Sequence, residues 1–416
     1  GPQTTANGLE FINVNSSNIF LTNLANPTIT GSTFTLGVDG YTLPPQYTYA
    51  VDAINAGSGI SAPMRISSSS FTGDAGATCG QNPSGINMIN IENSYVSLDD
   101  ITITDNGFGV FLKQSSGEII NSTIDINCAA VNTNGFKQTG SIKHTLEIKN
   151  NTLTTAEGAG ITAFDQARVY AYNNTISGAE SGSGIAVRSS IADLYNNTIG
   201  PIGGYNGLWI YGSSDVRAIN NTITDTTAEA VVHGEYHYLD DNWPREQPTE
   251  SRLYFKKNVI NNNAGMCNSE NTYGDEDFQC PAIHIFRASA TIYNNVVSNN
   301  LGDALRIKGG IVNVQNNEMQ TSSFAVNISH HDTNYGDKFA SIGYFSNNTF
   351  TGALQVYNIT ESMVTIQSEE IPAPGGDELY PINMRWLGSE CPDVQNACLK
   401  LPETANMPPE DMPMAL

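Results

Sequence analysis

A short phrase, an Asn pair followed by Thr and an apolar residue, recurs through the chain. It reads NNTL at Asn150, NNTI at Asn173, Asn196 and Asn220, NNVV at Asn294, NNEM at Asn316 and NNTF at Asn347. Looser copies are NSTI at Asn121 and KNVI at Lys257. Between first positions the steps are 29, 23, 23, 24, 37, 37, 22 and 31 residues, so the basic unit is 22 to 24 residues and four steps carry insertions. A fixed period of this length marks a solenoid, in which each repeat buries its apolar face only against its neighbours.

Each unit holds a second phrase in which apolar and variable residues alternate after a small residue: GIAVR (184–188), GLWIY (207–211), AIHIF (282–286), ALRIK (304–308) and AVNIS (325–329). Strict alternation over four or five residues predicts a half-buried strand. A third alternating run, such as RVYAY (168–172) or DVRAI (215–219), precedes the Asn pair. Three short strands per unit, separated by Gly, Ser and Asn turns and with no helical period, predict an all-β, single-stranded parallel β-helix. Over residues 90–365 the pattern resembles the right-handed β-helix repeat family, which includes pectate-lyase-like enzymes, periplasmic copper-accessory proteins and extracellular surface proteins. That resemblance implies the fold; it says little about activity, because unrelated sites are grafted on one scaffold.

Residues 1–90 repeat poorly and are expected to form an N-terminal cap and first coils, 91–365 the repeats, and 366–416 a C-terminal cap and a Pro-rich acidic tail. The recurring Asn pairs also form Asn-x-Thr sequons, but their phase with the strands predicts a stacked Asn ladder at one corner. Six cysteines predict disulfides Cys267–Cys280, Cys391–Cys398 and Cys79–Cys128, and hence a secreted or cell-surface protein. The leading Gly1-Pro2 reads as a protease-cleavage remnant, so an export signal and further domains of a larger surface protein are expected upstream. With 18 Lys and Arg against 41 Asp and Glu, the net charge is -23, which disfavours nucleic acid and anionic membranes as partners. No apolar run is long enough to span a membrane.

In the second phrase the apolar residues should face inward and their neighbours outward. The outward set is Thr162 and Phe164, Ala186 and Arg188, Trp209 and Tyr211, His284 and Phe286, Arg306 and Lys308, Asn327 and Ser329. Aromatic and basic side chains therefore gather on one face of a chain poor in bases. Insertions at 233–251 and 329–339, and one bracketed by Cys267 and Cys280 that enters before the strand of His284, border this face and carry His237, Asp240, Asp241 and His331. At His233 the register is open: the side chain faces inward if Val231 does, and outward if Val232 faces inward.

A face of this composition suits an extended acidic polysaccharide: Trp209, Tyr211 and Phe286 would stack on sugars, and Arg188, His237 and His331 would add polar contacts. If the polymer is cleaved as a lyase substrate, His284 or Lys308 is the base and Arg306 neutralises the uronate carboxylate. If it is hydrolysed, Asp240 and Asp241 head the carboxylates, with Glu235, Asp303, Asp332 and Asp165 as further candidates. RIK at 306–308 is similar to a polygalacturonase motif, but the accompanying NTD, paired-Asp and GHG motifs are absent in matching order, and pectin-esterase and alginate-epimerase signatures are missing. The residues name no certain cofactor. Calcium is the ion that the acidic runs 273–278 and 332–337 would take, and His233, Glu235 and His237 would lie on one side of an extended segment as candidate zinc or copper ligands, without the HExxH spacing. The competing reading is a non-enzymatic stalk, adhesin or receptor-binding module in which the aromatics pack beneath cover loops.

Overall fold

A computed structural model describes residues 5–12, 19–35, 49–73, 79, 87–135, 145–234, 251–263, 280–329 and 341–367 without 354 and 361, plus the short strands His331–Asp332, Lys338–Phe339, Asn383–Arg385 and Leu399–Lys400. Every described element is a strand. Within each unit the strands pair in parallel coil on coil, as Ile161–Phe164 does with Ile185–Arg188 and Ile283–Phe286 with Leu305–Lys308, whereas His331–Asp332 and Lys338–Phe339 pair with each other antiparallel. Two compact units are present, Gly1–Trp209 and Ile210–Leu416.

In the first unit, strands stack in three columns. One runs through Asn87–Glu92, Phe108–Lys113, Val131–Asn134, Ile161–Phe164 and Ile185–Arg188. The second contains Ser116–Ile120, Thr145–Lys149, Arg168–Tyr172 and Ile191–Tyr195. The third contains Thr123–Ile126, Thr152–Thr155, Thr175–Gly178 and Thr198–Ile202. Inward residues such as Leu98, Ile119, Ile148, Leu153 and Ile176 are fully buried, forming apolar ladders through the coil interior. Coiling extends back to Thr5, which pairs with Thr28, which in turn pairs with Arg65. In the third column the register also aligns hydroxyl residues: Thr33 pairs with Ser70, Ser70 with Thr102, and Thr102 with Thr123. The alignment continues from Thr123 to Thr152, Thr175 and Thr198.

The Asn pair divides its work between its two members. The first residue takes a left-handed backbone, with φ between 53° and 57° at Asn121, Asn150, Asn173, Asn196, Asn220 and Lys257. Asn tolerates that region better than other chiral residues, which explains its recurrence at the bend. The second residue is buried and builds the ladder. Asn174 Nδ2 donates to Ile148 O at 2.8 Å and to Asn197 Oδ1 at 2.9 Å. Its Oδ1 accepts from Asn151 N and Nδ2, both at 3.0 Å. The second unit repeats this through Asn221, Asn258, Asn295, Asn317 and Asn348. The ladder satisfies backbone groups that a tight buried bend would otherwise orphan.

His233 is inward. Val231 pairs with Ile283 and His233 with Ile285, so Val232 takes the outward side. The imidazole is fully buried, and its Nε2 lies 3.1 Å from Ser289 O, so Nε2 carries the proton. Burial pushes its pKa down to about 4, against the raising influence of the Ser289 and Ser251 backbone. This contribution to stability is complete above the unfolded-state pKa near 6.5 and is lost as pH falls toward 4, where the unfolded chain takes up a proton that the fold refuses. Roughly 3 kcal/mol should disappear over that window. His233→Ile should flatten the pH dependence of the urea midpoint between pH 7 and 4; an unchanged slope would refute the assignment.

The bond Cys79–Cys128 ties the loop at 79 to a later coil. Cys280 is disulfide-bonded, and its expected partner Cys267 lies outside the described residues, as do Cys391 and Cys398. No helix of the described residues is long and apolar enough to cross a membrane.

Candidate functional site

The two units hold separate parts of the outward face read from the sequence. In the first, Arg188 Nη2 donates to Asp165 Oδ2 at 2.8 Å and its guanidinium lies 4.4 Å from the Phe164 ring centre. Asn134 Nδ2 donates to the same oxygen at 3.1 Å. Trp209 ends this unit and is half-buried. Outward Thr162 and Ala186 are buried, so the face is not uniformly open.

In the second unit the inward ladder of Ile283, Ile285, Leu305, Ile307, Val326 and Ile328 is fully buried and fixes the outward order. His284 pairs directly with Arg306, and Arg306 with Asn327; alongside, Phe286 pairs with Lys308, and Lys308 with Ser329. Tyr211 also belongs to this unit and is half-buried. His331 lies in its two-residue strand. His237, Asp240, Asp241 and Glu235 lie outside the described residues.

His284 is 4% exposed and Phe286 9%, whereas Arg306, Lys308, Asn327 and Ser329 are half-buried. The Phe286 ring meets the imidazole edge-on with centres 6.2 Å apart. An open groove along all these rungs is therefore not what forms: it is closed at His284 and Phe286 and accessible from Arg306 onward. Glu229, itself buried, places Oε1 3.7 Å from His284 Nδ1, longer than an ordinary hydrogen bond. Burial lowers the His284 pKa, Glu229 raises it, and the charges of Arg306 and Lys308 lower it further. The ring is consequently neutral at pH 7, the form that accepts a proton.

Arg306 is anchored rather than projecting loose. Its Nη2 and Nε donate to Asp303 Oδ2 at 2.9 and 3.2 Å, and Asn327 Nδ2 donates to the same oxygen at 3.0 Å. Asp303 Oδ1 accepts from Ser323 Oγ at 2.8 Å and Phe324 N at 3.3 Å. Both oxygens are thus engaged, which suits an anchor better than the glycosidase acid suggested by its residue type. Asn358 extends the polar column by donating to Asn327 Oδ1 at 3.2 Å. Glu229 escaped the sequence reading; the only signal was a carboxylate within the apolar run AEAVVH, two residues before an inward strand position. Among the described residues no group of three His, Cys, Asp or Glu is placed to hold a metal.

The family described as right handed beta helix region matches residues 12–199 and 137–334, and the chain belongs to it. The fold is accordingly a right-handed parallel β-helix. No curated protein matches the sequence. Among solved structures, the catalytic unit of a thermostable GH87 α-1,3-glucanase from Streptomyces thermodiastaticus is similar at 13% identity, covering 92% of this chain and 62% of that one, with a TM-score of 0.50. The A-module of an Azotobacter vinelandii mannuronan C-5 epimerase is also similar at 13% identity, covering 88% and 91%, with a TM-score of 0.45. At these identities the likeness concerns the fold.

Proposed function

We propose that this protein binds an acidic polysaccharide across the outward strands of its second unit, outside the cell. The observation that carries the reading is the register: it sets His284 beside Arg306 and Phe286 beside Lys308 on adjacent rungs. Arg306 and Lys308 set two cations on one rung of a chain of net charge -23, with Asp303 already paired to Arg306, so contact with an acidic ligand falls chiefly to Lys308. Rungs about 4.8 Å apart suit an extended sugar polymer, and anchoring Arg306 in advance lowers the entropy lost when it meets a carboxylate or sulfate. The named activity of the similar α-1,3-glucanase falls in the same broad class, carbohydrate processing. The disulfide Cys79–Cys128 favours an oxidising compartment.

The buried neutral His284 beside Glu229 favours a second, catalytic reading in which the polymer is cleaved by elimination. This reading requires the cover at His284 and Phe286 to open: His284 then takes the proton next to the uronate carboxylate, the C–H electrons form a double bond, and the glycosidic oxygen leaves with a proton from water. A glycan array run with and without calcium tests both readings. Polyuronates or sulfated glycans should be retained, and Lys308→Ala should weaken retention by about 1–3 kcal/mol. That loss should shrink at high salt, where screening already weakens the wild-type contact. Ultraviolet absorbance of an unsaturated uronate would report elimination. No retention of any glycan would overturn the proposal and leave the stalk or adhesin role.

A further inference from the structure

On the third strand column of the first unit, outward positions carry hydroxyl side chains coil after coil. The rank from Thr33 to Thr198 has seven members in direct register, of which Ser70 is half-buried and the other six exposed. Two residues further along each strand, a second rank runs through Thr35, Thr72, Thr104, Thr154 and Ser177, with Asp125 as its one charge. Beneath them Phe34, Phe71, Ile103, Ile124, Leu153 and Ile176 are fully buried, giving the ranks a rigid floor. The Phe34 and Phe71 rings stack with centres 4.7 Å apart and planes 6° from parallel, so these two coils place their inward side chains directly above one another.

The fold does not require these hydroxyls. In the second unit the same place after the ladder Asn holds Thr222 and Thr349 but also Val259, 40% exposed, Val296, 37% exposed, and Glu318. Val fits a strand as well as Thr does, so the choice of Thr concerns the surface. The first rank is also free of charge in a chain of -23. Its ligand should therefore be uncharged and periodic in two dimensions. Sugars are a poor match, because no aromatic ring stands in either rank to stack on them.

Ordered water is a close match. Tetrahedral waters bonded at about 2.75 Å place next-nearest oxygens about 4.5 Å apart, with a perpendicular repeat near 7.3 Å. Coil spacing is about 4.8 Å, and alternate residues of a strand lie about 6.7 Å apart. Across six coil steps the mismatch accumulates to roughly 2 Å, so a rank centred on the lattice keeps its end hydroxyls within about 1 Å of lattice positions. We propose that this face binds ice, with the Thr oxygens joining the lattice and the methyl groups resting in its hollows.

The test uses the full chain in solution with a single ice crystal. Wild-type protein should open a gap between the melting and freezing temperatures and facet the crystal. Thr123→Tyr combined with Thr152→Tyr sets two rings in the middle of the array and should abolish both effects. Thr349→Tyr, at an exposed strand position of the second unit, should leave them intact. Circular dichroism and the urea midpoint check that the double variant is folded; if it is not, Thr152→Lys alone, adding one charge at an exposed site, should also abolish the gap. Ice growth unaffected by wild-type protein, or a gap surviving in folded variants, would overturn the proposal. So would retention on an insoluble neutral polysaccharide that is lost in the same variants, which would give the face to a glycan instead.

Discussion

Asn174→Ala is expected to destabilise the protein by about 3–6 kcal/mol, because it strands several buried polar groups at once, each worth about 1–3 kcal/mol. The side chain is 1% exposed. Truncation removes the acceptor for Asn151 N and Nδ2 and the donor to Ile148 O and Asn197 Oδ1. The neighbouring Asn173 provides the contrast. It is exposed with φ at 57°, so Asn173→Gly should change stability by only a few tenths of a kcal/mol, while Asn173→Val should cost about 1–2 kcal/mol for the left-handed backbone. Urea midpoints of the three variants decide the matter; equal losses at Asn173→Gly and Asn174→Ala would refute the division of labour.

Asp303→Ala should cost about 3–5 kcal/mol, the scale for breaking a buried ion pair while leaving one charge in place. The Asp303 side chain is 2% exposed and that of Arg306 17%. Ser323, Phe324 and Asn327 lose an acceptor in the same step. Adding Arg306→Leu should recover part of the loss, since the stranded cation is then gone. Arg188 and Asp165 look alike on paper, but their side chains are 39% and 36% exposed, and Asp165→Ala should cost only about 0–1 kcal/mol. Denaturation of the Asp303 single and double variants checks this. A loss below about 1 kcal/mol for Asp303→Ala would show that water reaches the pair.

The repeat was legible because its two signals are tied to unavoidable physics. The bend needs a left-handed residue and a buried amide, which Asn173 and Asn174 supply, and the strands need alternation, as in Ile185 and Val187. The first coils were not legible. At the ladder corner they use serine: Leu9 N donates to Ser32 Oγ, Ser32 N to Ser69 Oγ, and Ile101 N to Ser122 Oγ. Their stacked asparagines Asn23, Asn55 and Asn93 are 32 and 38 residues apart, which hides the period. The outward order of His284, Arg306 and Lys308 followed from alternation alone. His233 did not, because AVVH offers apolar residues in both frames, and only pairing with Ile285 decides it. The carboxylate beside His284 and the anchor of Arg306 are Glu229 and Asp303, which lie outside the strand phrases where no periodic pattern points to them.

The stacked amides also make the length of the first unit countable. Each Asn meets an identical Asn 23 residues later, Asn151 to Asn174 and Asn174 to Asn197. Excising 174–196 would join Asn173 to Asn197 and recreate the same dipeptide, with Asn151 finding in Asn197 the acceptor it had in Asn174. Whole turns can thus be gained or dropped during evolution without designing a new contact. A single-residue insertion has no such freedom, since it exchanges the inner and outer faces of every strand position up to the next bend.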